Sequence, residues 1–300
     1  MTEPLAFLNG ALIPQSEASL ALNDAGFVYG ATVTDLCRTF RHRLFLWPEH
    51  LARFRESCRF ADIGVQFTDE HISDHAHQLV AANSKLIPAE HDLALVMFAT
   101  PGPIGYYLGQ SFEAGDSPTF GMHTFALPFE RYRRWIEQGA HLITPDVRQI
   151  PPACIPPHMK HRSRMHYWLA EMGVRGRGAH ALLLDEQNHV TETPTSNLLV
   201  VKNGTVLSPR MERILPGVSL DFVKQLCCKL GIAVKHRDIT LGDCYDADEM
   251  FLTNTACCLA SVVQINDRVI PLGGPVFQRL LDAWNAEVGI DIHGQIRGQR

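Results

Sequence analysis

No two cysteines of the 300-residue sequence stand at CxxC spacing. The eight are Cys37, Cys58, Cys154, Cys244 and the doublets Cys227–Cys228 and Cys257–Cys258, and adjacent cysteines rarely bridge each other. This argues against a zinc ribbon or a disulfide scaffold and predicts reduced, buried thiols in a cytoplasmic protein. No apolar run reaches membrane-span length, and MTEPLAFLNG lacks the basic start and long apolar stretch of a secretory signal. Positive charge is not in excess. With 27 Lys and Arg against 32 Asp and Glu, the net charge of −5 argues against a chain built to grip nucleic acid. Walker loops, HExxH and GxSxG are absent, and GVRGRG at 173–178 is not GxGxxG. His71, His75 and His77 could share a helix face, but nothing completes a metal set, so a solvated face and no metal are expected.

What is present is a chain that is 46% apolar, enough for two cores, with no internal repeat. Asn9–Gly10 and Asn203–Gly204 between apolar flanks predict hairpins. Pro48 opens a helix with Leu51, Phe54 and Cys58 on one face, and Leu93–Ala99 reads as a buried strand. Ala181–Leu184 is apolar and β-like, and DEQNH turns it back into Val190–Thr193. Gly217 precedes a helix with Val218, Phe222, Val223, Leu226 and Leu230 on one face and Gly231 beyond its end. The expected organisation is α+β. An N-terminal domain spans 1–128, an interdomain loop 129–137, and a C-terminal domain 138–300 with a fraying polar tail.

Several segments occur in a particular order: NDAGFVYGATVTDLCR, PEHLARF, Lys160 in MKHRSRMHYW, LLLDEQNHVTETPTSNLLVV, LPGVS and FLTNTA. Together they resemble the class IV (fold-type IV) pyridoxal-phosphate enzymes. That family includes branched-chain aminotransferases, D-amino-acid aminotransferases and 4-amino-4-deoxychorismate lyases. The likeness covers nearly the whole chain and implies a two-domain enzyme with pyridoxal 5'-phosphate between its domains. It also implies a homodimer and small-molecule partners, an amino acid or amine and a 2-keto acid.

Each matched residue has a chemical reason. The cofactor needs a lysine to hold it covalently and later to shuttle the substrate Cα proton, and Lys160 stands at the family's position. Lys202, Lys224 and Lys229 lie in a hairpin or on a polar helix face and are poorer candidates. A buried carboxylate keeps the ring nitrogen protonated, and Glu192 matches it, with Asn197 at the family's spacing. Thr193 replaces the glycine usual after that glutamate. The phosphate wants a cation and helix N-terminal amides. Arg53, Val218, Ser219 and Thr255 match that cup, while Leu220 stands where an arginine commonly follows.

Substrate recognition matches less well. Tyr29 and Tyr132 match pocket tyrosines, and the Thr255–Ala256 backbone matches a carboxylate-binding turn. No arginine occupies Leu93–Ala99, and Thr34 replaces the aromatic that branched-chain enzymes place before the acidic residue. Arg38, Arg131, Arg162 and Arg164 are candidate substitutes, Arg131 foremost as a helper of the Thr255–Ala256 turn. The family tyrosine after the lysine has no counterpart, because position 165 is Met and Tyr167 falls two residues late. The expected activity is ping-pong transamination. A lyase releasing pyruvate from 4-amino-4-deoxychorismate and a catalytically silent cofactor-binding protein are the alternatives.

Overall fold

Asn9 (φ 48°) and Gly10 (φ 95°) both take left-handed backbone, which a two-residue hairpin turn with the native strand twist requires. They join β1 (Leu5–Leu8) to β2 (Ala11–Pro14), as the sequence predicts. The computed structural model describes residues 3–111 and 116–298. Two compact units emerge, Met1–Leu127 with Met159–Ser163, and Pro128–His158 with Arg164–Arg300.

In the first unit follow α1 (Ala25–Val28), β3 (Val33–Phe40), β4 (Arg43–Leu44), α2 (Trp47–Phe60), α3 (Asp69–Asn83), β5 (Leu93–Thr100) and β6 (Thr119–Ala126). Their antiparallel sheet runs β2-β1-β6-β5-β3-β4. Strand alternation gives it two different faces. Val33, Cys37, Leu95, Met97, Phe120 and Met122 enter the core, where they meet Leu51 and Phe54 of α2 and Ile72 and Leu79 of α3. Thr34, Phe98, Gly121 and His123 line the opposite face. Pro48 sits in the first turn of α2, and the Thr68 hydroxyl accepts from His71 N–H to cap α3. The histidine face of α3 is only partly solvated: His75 packs on Phe7 at 4.6 Å and His71 stacks on Phe67 at 5.0 Å.

The second unit contains α4 (Phe129–Gln138), β7 (Ala140–Ile143), α5 (Met165–Val174), β8 (His180–Ala181), β9 (Asn197–Lys202), β10 (Thr205–Ser208) and α6 (Val218–Lys229). It ends with β11 (Val234–His236), α7 (Leu241–Tyr245), β12 (Glu249–Asn254), β13 (Cys258–Ile265), β14 (Arg268–Val269), α8 (Pro275–Val288) and α9 (Ile292–Arg297). The mixed sheet runs β11-β10-β9-β12-β13-β7-β8, with β14 paired to β13.

Several expectations are corrected. Residues 129–137 are not a loop but helix α4, which buries Phe129, Tyr132, Trp135 and Ile136 and stops at Gly139 (φ 79°). The strand expected over Ala181–Leu184 is regular only at His180–Ala181. Beyond it, Asp185 Oδ1 accepts from the amides of Gln187 and His189 and tightens the return, leaving a Leu184–Val190 bridge. The tail does not fray through Arg297, because α9 buries its own Ile292 and Ile296; residues 299–300 lie outside the described part. All eight cysteines are free thiols, but Cys154 and Cys228 are exposed rather than buried. Among the described residues no helix is long and apolar enough to cross a membrane.

Candidate active site

In the first unit, Met159–Ser163 lies antiparallel to the start of β3. His161 bridges Val33, the Lys160 carbonyl accepts from Thr34 N–H at 2.9 Å, and Arg162 N–H donates to the Thr32 carbonyl at 2.8 Å. The Lys160 amide donates to the fully buried Ser57 hydroxyl at 3.0 Å, which ties the segment to α2. Lys160 is thus held on rigid backbone with a half-buried side chain. The competing lysines are engaged elsewhere: Lys202 with Asp248, Lys224 with Asp221 and Lys229 with Glu287.

Arg53 lies one turn after His50 on α2, and both reach Asp35 on the core side of β3. The Arg53 guanidinium donates from Nε and Nη2 to the two Asp35 oxygens at 2.7 and 2.9 Å, while His50 Nδ1 lies 2.7 Å from Oδ1. Burial alone would raise the Asp35 carboxyl, but Arg53 and His50 hold it well below the usual carboxylate range. Burial depresses His50, against the pull of Asp35, so the imidazole is neutral and Nδ1–H donates. One carboxylate is therefore balanced by one cation.

In the second unit, Glu192 is buried at the end of an irregular ladder. Asn197 Nδ2 donates to its Oε2 at 3.0 Å, Leu215 N–H at 3.2 Å, and the Tyr167 hydroxyl donates to Oε1 at 2.9 Å. Gln149 Nε2 donates to the Tyr167 oxygen at 2.8 Å and to Glu192 Oε1 at 3.3 Å. Burial, and then the neighbouring Glu192 charge, hold the Tyr167 hydroxyl protonated, far above its ordinary pKa. Thr193 suits the turn, since its hydroxyl accepts from Ser196 N–H and donates to the Ser196 carbonyl. Tyr167 and Gln149 are the residues that sequence reasoning missed. The polar tip of Tyr167, on an otherwise apolar stretch of α5, was the available signal.

Helix α6 begins at Val218 with Gly217 as its N-cap, and no side-chain cap is present among the described residues. A Cβ on Gly217 would lie 2.2 Å from Asn197 Oδ1, so only glycine lets the helix start this close to the Glu192 network. Val218 and Ser219 are buried, and Leu220 is core, so position 220 contributes no phosphate contact. Thr255 is half-buried in the turn between β12 and β13. The Ala256 amide, expected to meet a substrate carboxylate, donates to Asn254 Oδ1 at 2.8 Å.

The expected substrate residues fall on both units. Tyr29 is exposed on the first unit, its hydroxyl 2.7 Å from that of Tyr106. Tyr132 is buried against Trp135 on α4, and burial pushes its hydroxyl up to about 12. Arg131 is exposed on the same helix. Arg38 is buried over the Phe40 ring beside Asp92, and Arg164 donates to the Pro194 carbonyl, so both serve the fold.

A buried carboxylate surrounded by donors suits a protonated ring nitrogen, and the uncapped amides of α6 suit a phosphate. These residues of the second unit fit the ring nitrogen and phosphate of pyridoxal phosphate. Among the described residues no His, Cys, Asp or Glu group could hold a metal ion.

Comparison with known proteins agrees. The model of the amino-transferase class IV family matches residues 32–265. A putative branched-chain-amino-acid aminotransferase of Methanocaldococcus jannaschii is 30% identical over 88% of this chain and 88% of its own length. The T.th. branched-chain amino acid aminotransferase complexed with N-(5'-phosphopyridoxyl)-L-glutamate superposes with a TM-score of 0.83 at 23% identity, covering 99% of this chain and 95% of that one. The 4-amino-4-deoxychorismate lyase of Pseudomonas aeruginosa gives a TM-score of 0.77 at 24% identity, covering 94% and 99%. At these identities the two structures show a shared fold.

Proposed function

The chain belongs to the class IV aminotransferases, and on that premise we propose that it transfers an amino group from an amino acid or amine to a 2-keto acid in two half-reactions, using pyridoxal 5'-phosphate. The observation that carries the chemistry is the buried Glu192 carboxylate, met by Tyr167, Asn197 and the Leu215 amide. Bound pyridoxal phosphate supplies an electron sink for the charge that develops at the substrate Cα.

Glu192 would hold a proton at the ring nitrogen, and its donors orient the carboxylate. Lys160 holds the cofactor covalently at rest. Its Nζ, once free, would carry the substrate Cα proton. The amides of Val218 and Ser219 and the Thr255 hydroxyl would bind the phosphate, and Arg53, kept in place by Asp35, is assigned as its cation. We also assign a homodimer, supported by the exposed Leu22, Phe27, Tyr106 and Leu108 of the first unit. A cytoplasmic location rests on the composition and the thiols.

The lyase reading begins from the same residues and gains from the structural likeness and the missing arginine on β5. The test mixes holoenzyme with a panel of amino donors and, separately, with 4-amino-4-deoxychorismate. Pyridoxamine phosphate formed with donors supports transamination. Pyruvate and 4-aminobenzoate from the second compound, with no response to any donor, establish the lyase. No reaction with either leaves a silent binding protein.

A further inference from the structure

No arginine lies on β5, and the face of the first unit's sheet opposite its core carries Arg162 nearby. His161 pairs opposite Val33, whose side chain enters the core, so Lys160 and Arg162 project together on the other face beside Thr34. The Arg162 guanidinium lies 3.5 Å from Thr34 Oγ1. Along the same face, Thr34 pairs with Phe98 and Phe98 with Gly121, while His123 occupies the next row opposite Val96. None of positions 34, 36, 96, 98, 121 and 123 is acidic.

We propose that Arg162 binds the carboxylate of an amino or 2-keto acid whose apolar side chain lies toward Phe98. The assignment rests on Lys160 being the cofactor lysine, since the two side chains share a face two residues apart. Arg38 is fully buried beside Asp92 and Arg164 donates to the Pro194 carbonyl, whereas Arg162 is exposed on the face that carries Lys160. The Ala256 amide is taken by Asn254.

The surroundings suit such a ligand. A Cβ on Gly121 would stand 2.5 Å from the Phe98 ring, so the ring lies directly over the glycine and forms an apolar floor. His123 is held neutral, first by burial and then by the Arg162 charge. Its Nδ1 is buried with no hydrogen-bond partner among the described residues, which gives the site a second polar group.

The test titrates 4-methylvalerate and its neutral amide into holoenzyme by calorimetry, using the unmodified protein, Arg162→Gln and Arg162→Lys. Arg162→Gln is expected to weaken the acid roughly 10–100-fold and leave the amide unchanged, with Arg162→Lys in between. In parallel, KM for an amino-acid donor rises more than kcat falls, and an amine donor without a carboxylate is unaffected. Unchanged acid affinity in Arg162→Gln with the visible cofactor band intact overturns the proposal, as does an equal loss for acid and amide. A missing cofactor band in the unmodified protein overturns the aminotransferase reading itself and the anchor with it.

Discussion

Arg53 grips Asp35 with two parallel N–H···O bonds, both groups out of solvent, so the cation assigned to the phosphate is oriented by a carboxylate on the neighbouring strand. Breaking a buried pair from one side leaves the other charge uncompensated. Asp35→Asn is expected to cost about 3–5 kcal/mol in urea unfolding. A loss below ~1 kcal/mol would mean that the pair is solvated after all.

Arg53→Ala acts on cofactor affinity instead. Removing a buried cation from a phosphate weakens binding by roughly 2–5 kcal/mol. Equilibrium binding of pyridoxal phosphate checks this, and unchanged affinity removes Arg53 from the phosphate site.

Acid should destabilise the fold in two stages. His50 is depressed by burial when folded, so its contribution is complete above its unfolded value near pH 6.5 and is lost as pH falls. Asp35 is also depressed when folded, so its contribution is present above about pH 4 and declines as pH falls toward its folded value. Urea midpoints should fall between pH 8 and 5.5 and again below 4. His50→Gln should flatten the first stage, and a midpoint that rises on acidification to pH 5.5 contradicts the assignment.

The Gln149–Tyr167–Glu192 chain is a polarised series of donors ending on a carboxylate. Tyr167→Phe strands part of a buried charge and is expected to cost about 1–3 kcal/mol of stability. Glu192→Gln should retain the cofactor while slowing the donor half-reaction roughly 100-fold or more, a size typical of lost proton-transfer support. A half-reaction at the original rate places Glu192 away from the ring nitrogen.

Much of this was readable along the chain where the cause is local. Asn9–Gly10 and Asn203–Gly204 set left-handed turns, and Gly217 with the apolar stripe behind it set α6. Failures came where tertiary context decides. The arginine-rich 129–137 segment reads as a connector, yet Phe129, Tyr132, Trp135 and Ile136 bury one face and make it helical. Tyr167 misses the family's spacing, and its use appears only because α5 carries it to a carboxylate 25 residues downstream. The hydrogen bond from the Ala256 amide to Asn254 is not legible in FLTNTA, because it is made by a side chain folded back onto its own turn.

The central claim is that Lys160 carries the cofactor, and borohydride reduction of the holoenzyme followed by peptide mapping tests it most directly. The account predicts a pyridoxyl group on Lys160 and nowhere else, with the label lost in Lys160→Ala. A label on Lys202, Lys224, Lys229 or any other lysine would contradict it.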